Sequence, residues 1–193
     1  MRFSRFLPIN RAIPFDPHSL YFSGGGNLVI EFQDRRSLML RKLDFGRVIF
    51  PEQPPYWRAT MACKIHCLEE EGYVLLDAAI GQALWRDYCL MKSRGRVRKS
   101  VLMALQRRLG ISHIDFPGTV VKGKNGRHYI VCLRLEEDSW IDEDPATGQI
   151  TTEYSGETYW KFGYFLIDNP WNMGGEYRSA CLKGIPLIPL KKR

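Results

Sequence analysis

The sequence predicts an α+β fold: a single domain of mostly antiparallel sheet, with two central helices and an extended N-terminal arm. Three observations predict it. Apolar residues recur at helical spacing within residues 76–91 and again within 97–109, the mark of helices with one buried face. Short runs rich in β-branched and aromatic residues, bounded by Gly, Pro and Asn, flank those windows and read as strands. Strands and helices do not alternate along the chain, which argues against a parallel βαβ sheet.

The elements follow in chain order. Residues 1–26 hold Pro8, Pro14 and Pro17 among aromatics; prolines lack an amide donor and discourage helix and central strand alike, so an extended arm is expected. Gly24, Gly25 and Gly26 break the chain, and strand-like runs follow at 27–32 and 47–50 before Pro51, Pro54 and Pro55. In residues 58–68, Met61, Cys63, Ile65 and Cys67 alternate with Ala62, Lys64 and His66, a period of two that predicts a strand with one buried face. Asp77 is placed to cap a helix reaching Met91, with Leu76, Ala79, Ile80, Ala83 and Leu84 on its inner face. A second helix spans 97–109 on Val101, Leu105 and Leu109, stopped by Gly110. Residues 119–135 read as a hairpin turning at Asn125-Gly126, and 150–154 with 158–167 as a further pair of strands around Gly156. The globular part is bounded at 27–184, leaving 185–193 as a basic tail.

The chain has 193 residues, 45% of them apolar and 12% aromatic, enough for one domain with a real core. No apolar run approaches the roughly 20 residues of a membrane-spanning helix, and the start has no continuous apolar segment of the signal-peptide kind, so secretion is not expected. Five cysteines, an odd number lying mostly in apolar stretches, predict buried reduced thiols. The net charge of +7 directs attention to anionic partners.

Most distinctive is the stretch from residue 92 to 108. Lys92, Arg94, Arg96, Arg98, Lys99, Arg107 and Arg108 fall there with no acid among them, and Gly95 is read as keeping the start of the block flexible. Guanidinium groups bind phosphate in a forked geometry, so the block is the expected site for RNA, a nucleocapsid or an anionic membrane. Its counterpart is acidic: Glu136, Glu137, Asp138, Asp142, Glu143 and Asp144 form a block suited to docking the basic block of a second copy. The spacing of those acids matches no calcium loop. Cys63, His66 and Cys67 hint at zinc, but on a strand His66 faces away from the two thiols. No metal is therefore expected.

Asp168-Asn169-Pro170-Trp171 resembles the Asp-Pro-Pro-Trp motif of adenine-N6 methyltransferases, with 22–26 as a conceivable glycine-rich turn. Asn169 replaces a proline, and the glycines precede a strand, where a cofactor loop would follow one into a helix. His18, His66, His113 and His128 sit in unrelated contexts, and no serine–histidine–acid arrangement is apparent. No catalytic residues, cofactor or small-molecule substrate are expected.

From residue 57 to 167 the order of features resembles the globular domain of rhabdovirus matrix proteins. The segment 57–67 is similar to their leading strand. Residues 73–88, with Ala78, Ala79 and Trp85, are similar to their first core helix. The basic turn 92–99, the helix to Leu109 and the later hairpins follow in the same order. Gln53-Pro54-Pro55-Tyr56 departs from that family's Pro-Pro-x-Tyr motif. The resemblance implies a non-enzymatic protein of virion and host cytoplasm that self-associates and bridges nucleocapsid and the inner face of the membrane. Phe3, Phe6, Leu7 and Ile9 of the arm are the apolar candidates for contact between copies. The rival reading is a basic nucleic-acid-binding accessory protein that uses the second helix and a β-wing; a methyltransferase or nuclease is the third.

Overall fold

The computed structural model describes residues 6–12, 15–17, 28–45, 47–48, 61–143, 150–167 and 177–183. At the centre are two consecutive helices laid on an antiparallel sheet, as the periodicity predicts. The first, α3 (Ala78–Ser93), starts on Asp77, whose carboxylate accepts from the backbone N–H groups of Ala79 and Ile80. The second, α4 (Val101–Leu109), starts on Ser100, whose hydroxyl accepts from Met103 N–H, and stops at Gly110 with φ +63°. A single 3-10 turn, Val97–Lys99, joins them.

Earlier in the chain come β1 (Phe6–Pro8), β2 (Val29–Gln33), α1 (Arg35–Leu38), β3 (Lys42–Asp44), α2 (Met61–Glu70) and β4 (Tyr73–Leu75). Later come β5 (His113–Lys122), β6 (His128–Glu143), β7 (Ile150–Leu166), β8 (Tyr177–Ser179) and β9 (Cys181–Lys183). The main sheet runs β2-β5-β6-β7, with β8 joining β5 in parallel; β1 pairs with β3 and β4 with β9. Ile114 and Phe116 of β5, Val131 and Leu133 of β6, and Trp160 and Phe162 of β7 face Ile80, Leu84, Leu102 and Leu105 of the helices, all in one buried cluster.

One contact fixes where α3 begins. Gly118 N–H donates to Leu76 O at 3.0 Å, and a Cβ on Gly118 would lie 2.2 Å from the Leu75 oxygen. The backbone before α3 thus rests directly on β5, and only glycine permits that approach.

Four expectations are corrected. Residues 61–70 form a helix, not a strand. Ile65 and Leu68, three apart, are its inward residues, while Cys63, His66 and Cys67 are exposed. The alternation counted thiols as buried, and they are not. Gly72, φ +76°, follows the helix end. The described part of the arm is not free: β1 is paired, and Leu7, Ile9 and Phe15 lie in the core. Phe15 meets Phe162 edge to face at 6.2 Å, and Tyr164 donates to the Pro17 carbonyl. Residues 47–48 are not strand. Residues 150–166 make one strand, in which Gly156, φ +71°, marks an irregularity opposite Asp138.

Of the five free cysteines, Cys132 and Cys181 are buried and Cys63, Cys67 and Cys89 exposed, against the expected majority of buried thiols. At the hairpin tip only Gly126 has positive φ; Asn125 acts through its side chain, accepting from Arg127 N–H and donating to the Tyr129 hydroxyl. No helix among the described residues is long and apolar enough to cross a membrane. Phe3, residues 22–26, the Pro-Pro-Tyr segment, Asp144, 168–171 and the tail lie outside the described residues.

Candidate nucleic-acid interface

The basic block is presented on a rigid turn. At the end of α3, Gly95 N–H donates to Lys92 O at 3.0 Å and Arg96 N–H to Met91 O at 2.8 Å. With Gly95 at φ +63°, this is the paired-bond helix stop that needs a left-handed residue. Gly95 is therefore a fixed corner, not the flexible start expected. Lys99 N–H to Arg96 O and Ser100 N–H to Val97 O continue the bonding through the 3-10 turn into α4.

All seven basic side chains are exposed. Arg107 folds back along α4: its Nε donates to Met103 O at 3.1 Å and its Nη2 to Arg98 O at 2.7 Å. The second helix thereby brings a guanidinium against the turn that holds Arg98 and Lys99. Among the described residues no carboxylate pairs with Lys92, Arg94, Arg96, Arg98 or Lys99. Asp87 of α3 accepts from Val101 N–H at 2.8 Å.

Helix dipoles separate two kinds of cation here. Lys92 ends α3, and Arg107 and Arg108 end α4, where positive charge is favourable. Arg98 and Lys99 instead immediately precede Ser100, the N-cap of α4, where positive charge is unfavourable. Their mutual repulsion adds to that cost. The α4 dipole therefore does not favour these two charges.

Two members of the acidic block, Glu136 and Glu137, do not share a face. Glu136 and Glu137 are neighbours on β6, and successive strand residues face opposite ways. Glu136 is engaged within the molecule by Arg134 Nε at 2.5 Å, Lys161 Nζ at 3.2 Å and the Tyr159 hydroxyl at 3.4 Å. Asp138, Asp142 and Glu143 are also on β6, which continues to residue 143. The arm candidates divide as well: Phe6 is 56% exposed with Lys42 above its ring, but Leu7 and Ile9 are buried. Those two are consumed by the protein's own core and are corrected as contacts between copies.

Two further clusters differ from expectation. On α2, Cys63, His66 and Cys67 share one face, with His66 Nε2 3.2 Å from Glu70, yet no three His, Cys, Asp or Glu side chains among the described residues are placed to hold a metal. His113 does have an acid partner, Asp115 Oδ1 at 2.8 Å, and both are buried in the sheet. Burial disfavours the imidazolium, but Asp115 and Cys132 outweigh it and raise the His113 pKa to about 10. The pair was legible only as His-x-Asp inside an apolar strand, a pattern that states proximity but not burial.

Sequence reasoning also passed over two aromatics beside the ridge. Tyr159 has the Lys92 ammonium 6.0 Å from its ring centre. Trp85, two helical turns before Lys92 on α3, stacks on Tyr88 at 5.6 Å and 23°.

No known protein family, no characterised protein and no solved structure matches the chain. Fold and site together define a class only: an α+β domain carrying an exposed cationic ridge on a helix–turn–helix corner.

Proposed function

We propose that the protein is a non-catalytic binding domain whose ridge, residues 92–108, holds the phosphate backbone of RNA. The observation that carries the reading is the placement of Arg98 and Lys99 directly before the N-terminus of α4, where their charge is unfavourable, within a row of exposed cations. The matrix-type resemblance supports the same partner, a ribonucleoprotein of virion and host cytoplasm. Its self-assembling part has lost support, because Leu7 and Ile9 are core residues and Glu136 is satisfied internally. RNA binding therefore stands ahead of open polymerisation or bridging to a membrane.

The test is fluorescence anisotropy with a short labelled RNA over a range of KCl. Five to seven phosphate contacts on a single strand give a slope of log affinity against log salt of about −3.5 to −5. The variant with Arg94, Arg96, Arg98 and Lys99 all changed to Ala should bind much more weakly and lose most of that slope. Equal binding by this variant, or a wild-type slope shallower than about −1, would refute the reading. Binding of the wild type to anionic vesicles but not to RNA would transfer the ridge to a membrane partner.

A further inference from the structure

We infer that the RNA held by the ridge is single-stranded, with unpaired bases stacking on Tyr159 and Trp85. This deepens the proposed function and rests on it. Phosphate contacts alone do not distinguish single strand from duplex, since both present regularly spaced negative charge. Aromatic rings beside a cationic track do, because only unpaired bases offer a face for stacking.

Both rings are partly exposed and held in place. Tyr159 lies on β7, the last strand in the order of the main sheet, and its side chain is partly exposed. Lys92 stands 6.0 Å from its ring, and Lys161, two residues along, bonds the same Glu136 that the Tyr159 hydroxyl meets. One ammonium group thus stands over the ring, and a second shares the carboxylate that its hydroxyl meets. Trp85 is braced from below: it stacks on Tyr88, and the Tyr88 hydroxyl accepts from Trp160 N–H of β7 at 3.4 Å. Trp85, Cys89 and Lys92 follow at i, i+4 and i+7, one stripe of α3 about 10 Å long. A braced ring loses little freedom when a base settles on it, which makes stacking effective.

The stripe leads from Trp85 through the exposed thiol of Cys89 to Lys92, and the cationic turn starts there. A strand tracking the turn with its phosphates can lay a base over Trp85 on the helix side of β7, or over Tyr159, which points to the opposite side of that edge strand. A duplex tracking the same turn cannot, because its bases are already stacked on one another.

The experiment compares one labelled 12-nucleotide RNA, its blunt duplex and a heparin oligosaccharide of similar charge, at one salt concentration. Tyr159→Leu should weaken single-strand binding about tenfold or more, the range set by loss of one base–aromatic stack. Duplex and heparin binding should stay within about twofold, and Tyr159→Phe should restore the single strand. Trp85→Leu should behave like Tyr159→Leu. If Trp85→Leu fails to fold, alkylation of wild-type Cys89 replaces it: the single strand should slow labelling of this thiol and heparin should not. Equal losses for all three ligands, or none for any, would overturn the stacking while leaving the ridge intact. Failure of the wild type to bind all three would overturn the proposed function, and this inference with it.

Discussion

Arg11 is the residue on which the docking of the N-terminal segment turns. Its guanidinium donates to Leu40 O at 2.8 Å, to Ser37 O at 2.6 Å and to Asp77 Oδ1 at 2.9 Å. Asp77 is fully buried and the Arg11 side chain 10% exposed. Changing Arg11 to Met keeps the apolar stem and removes the charge, leaving Asp77 as an uncompensated buried carboxylate. Breaking a buried pair in this way costs about 3–5 kcal/mol. Asp77 retains Ser37 Oγ at 2.7 Å and two helix N–H donors, so the lower end, about 3 kcal/mol, applies. For a chain of this size that is a fall of about 6–12 °C in the thermal midpoint. Circular dichroism melts and urea titrations measure it, and limited proteolysis should find residues 6–12 newly accessible. Adding Asp77→Asn should recover at least about 1 kcal/mol, because the stranded charge is gone. A midpoint shift under about 2 °C, or a double variant weaker than the sum of the singles, would refute the reasoning.

Two further outcomes follow from charge placement. His113 holds its proton to about pH 10 when folded, against 6.5 in an ordinary context. Its contribution is therefore complete below pH 6.5 and is lost as pH rises towards 10. Urea midpoints at pH 6, 7.5 and 9 should fall in wild type and flatten in His113→Gln; parallel curves would contradict the buried ion pair. Changing Arg98 and Lys99 to Ala should raise the midpoint in low salt while weakening RNA binding, since each opposes the α4 dipole by about 0.3–1 kcal/mol. A destabilised double variant would show that these side chains serve the fold.

The central helices were legible because their signals are local. Asp77 and Gly110 punctuate them, and Leu84, Val101 and Leu105 mark the inner faces. The basic ridge was legible for a related reason: that many like charges in 17 residues cannot be buried. What failed was inference from residue type alone. Cysteine ranks among the buried types, and this made α2 look like an alternating strand. Proline at residue 8 suggested a free arm, yet β1 needs only three residues to pair with β3. The Arg11–Asp77 bond spans 66 positions, and the approach of Tyr159 to Lys92 spans 67. Nothing in either local segment announces the other.

The order in which this fold can be completed differs from the order in which it is synthesised. Leu7, Ile9 and Phe15 lie in the core, and Arg11 fastens that segment to Asp77. β2 pairs with β5 as far along as Lys122. β2 therefore has no main-sheet partner until residues 119–122, about ninety further along, have emerged. At ordinary translation speeds that is a wait on the order of ten seconds. During this interval Val29, Ile30 and Phe32 lack their sheet partner, and an unpaired strand of that kind invites association between unfinished chains.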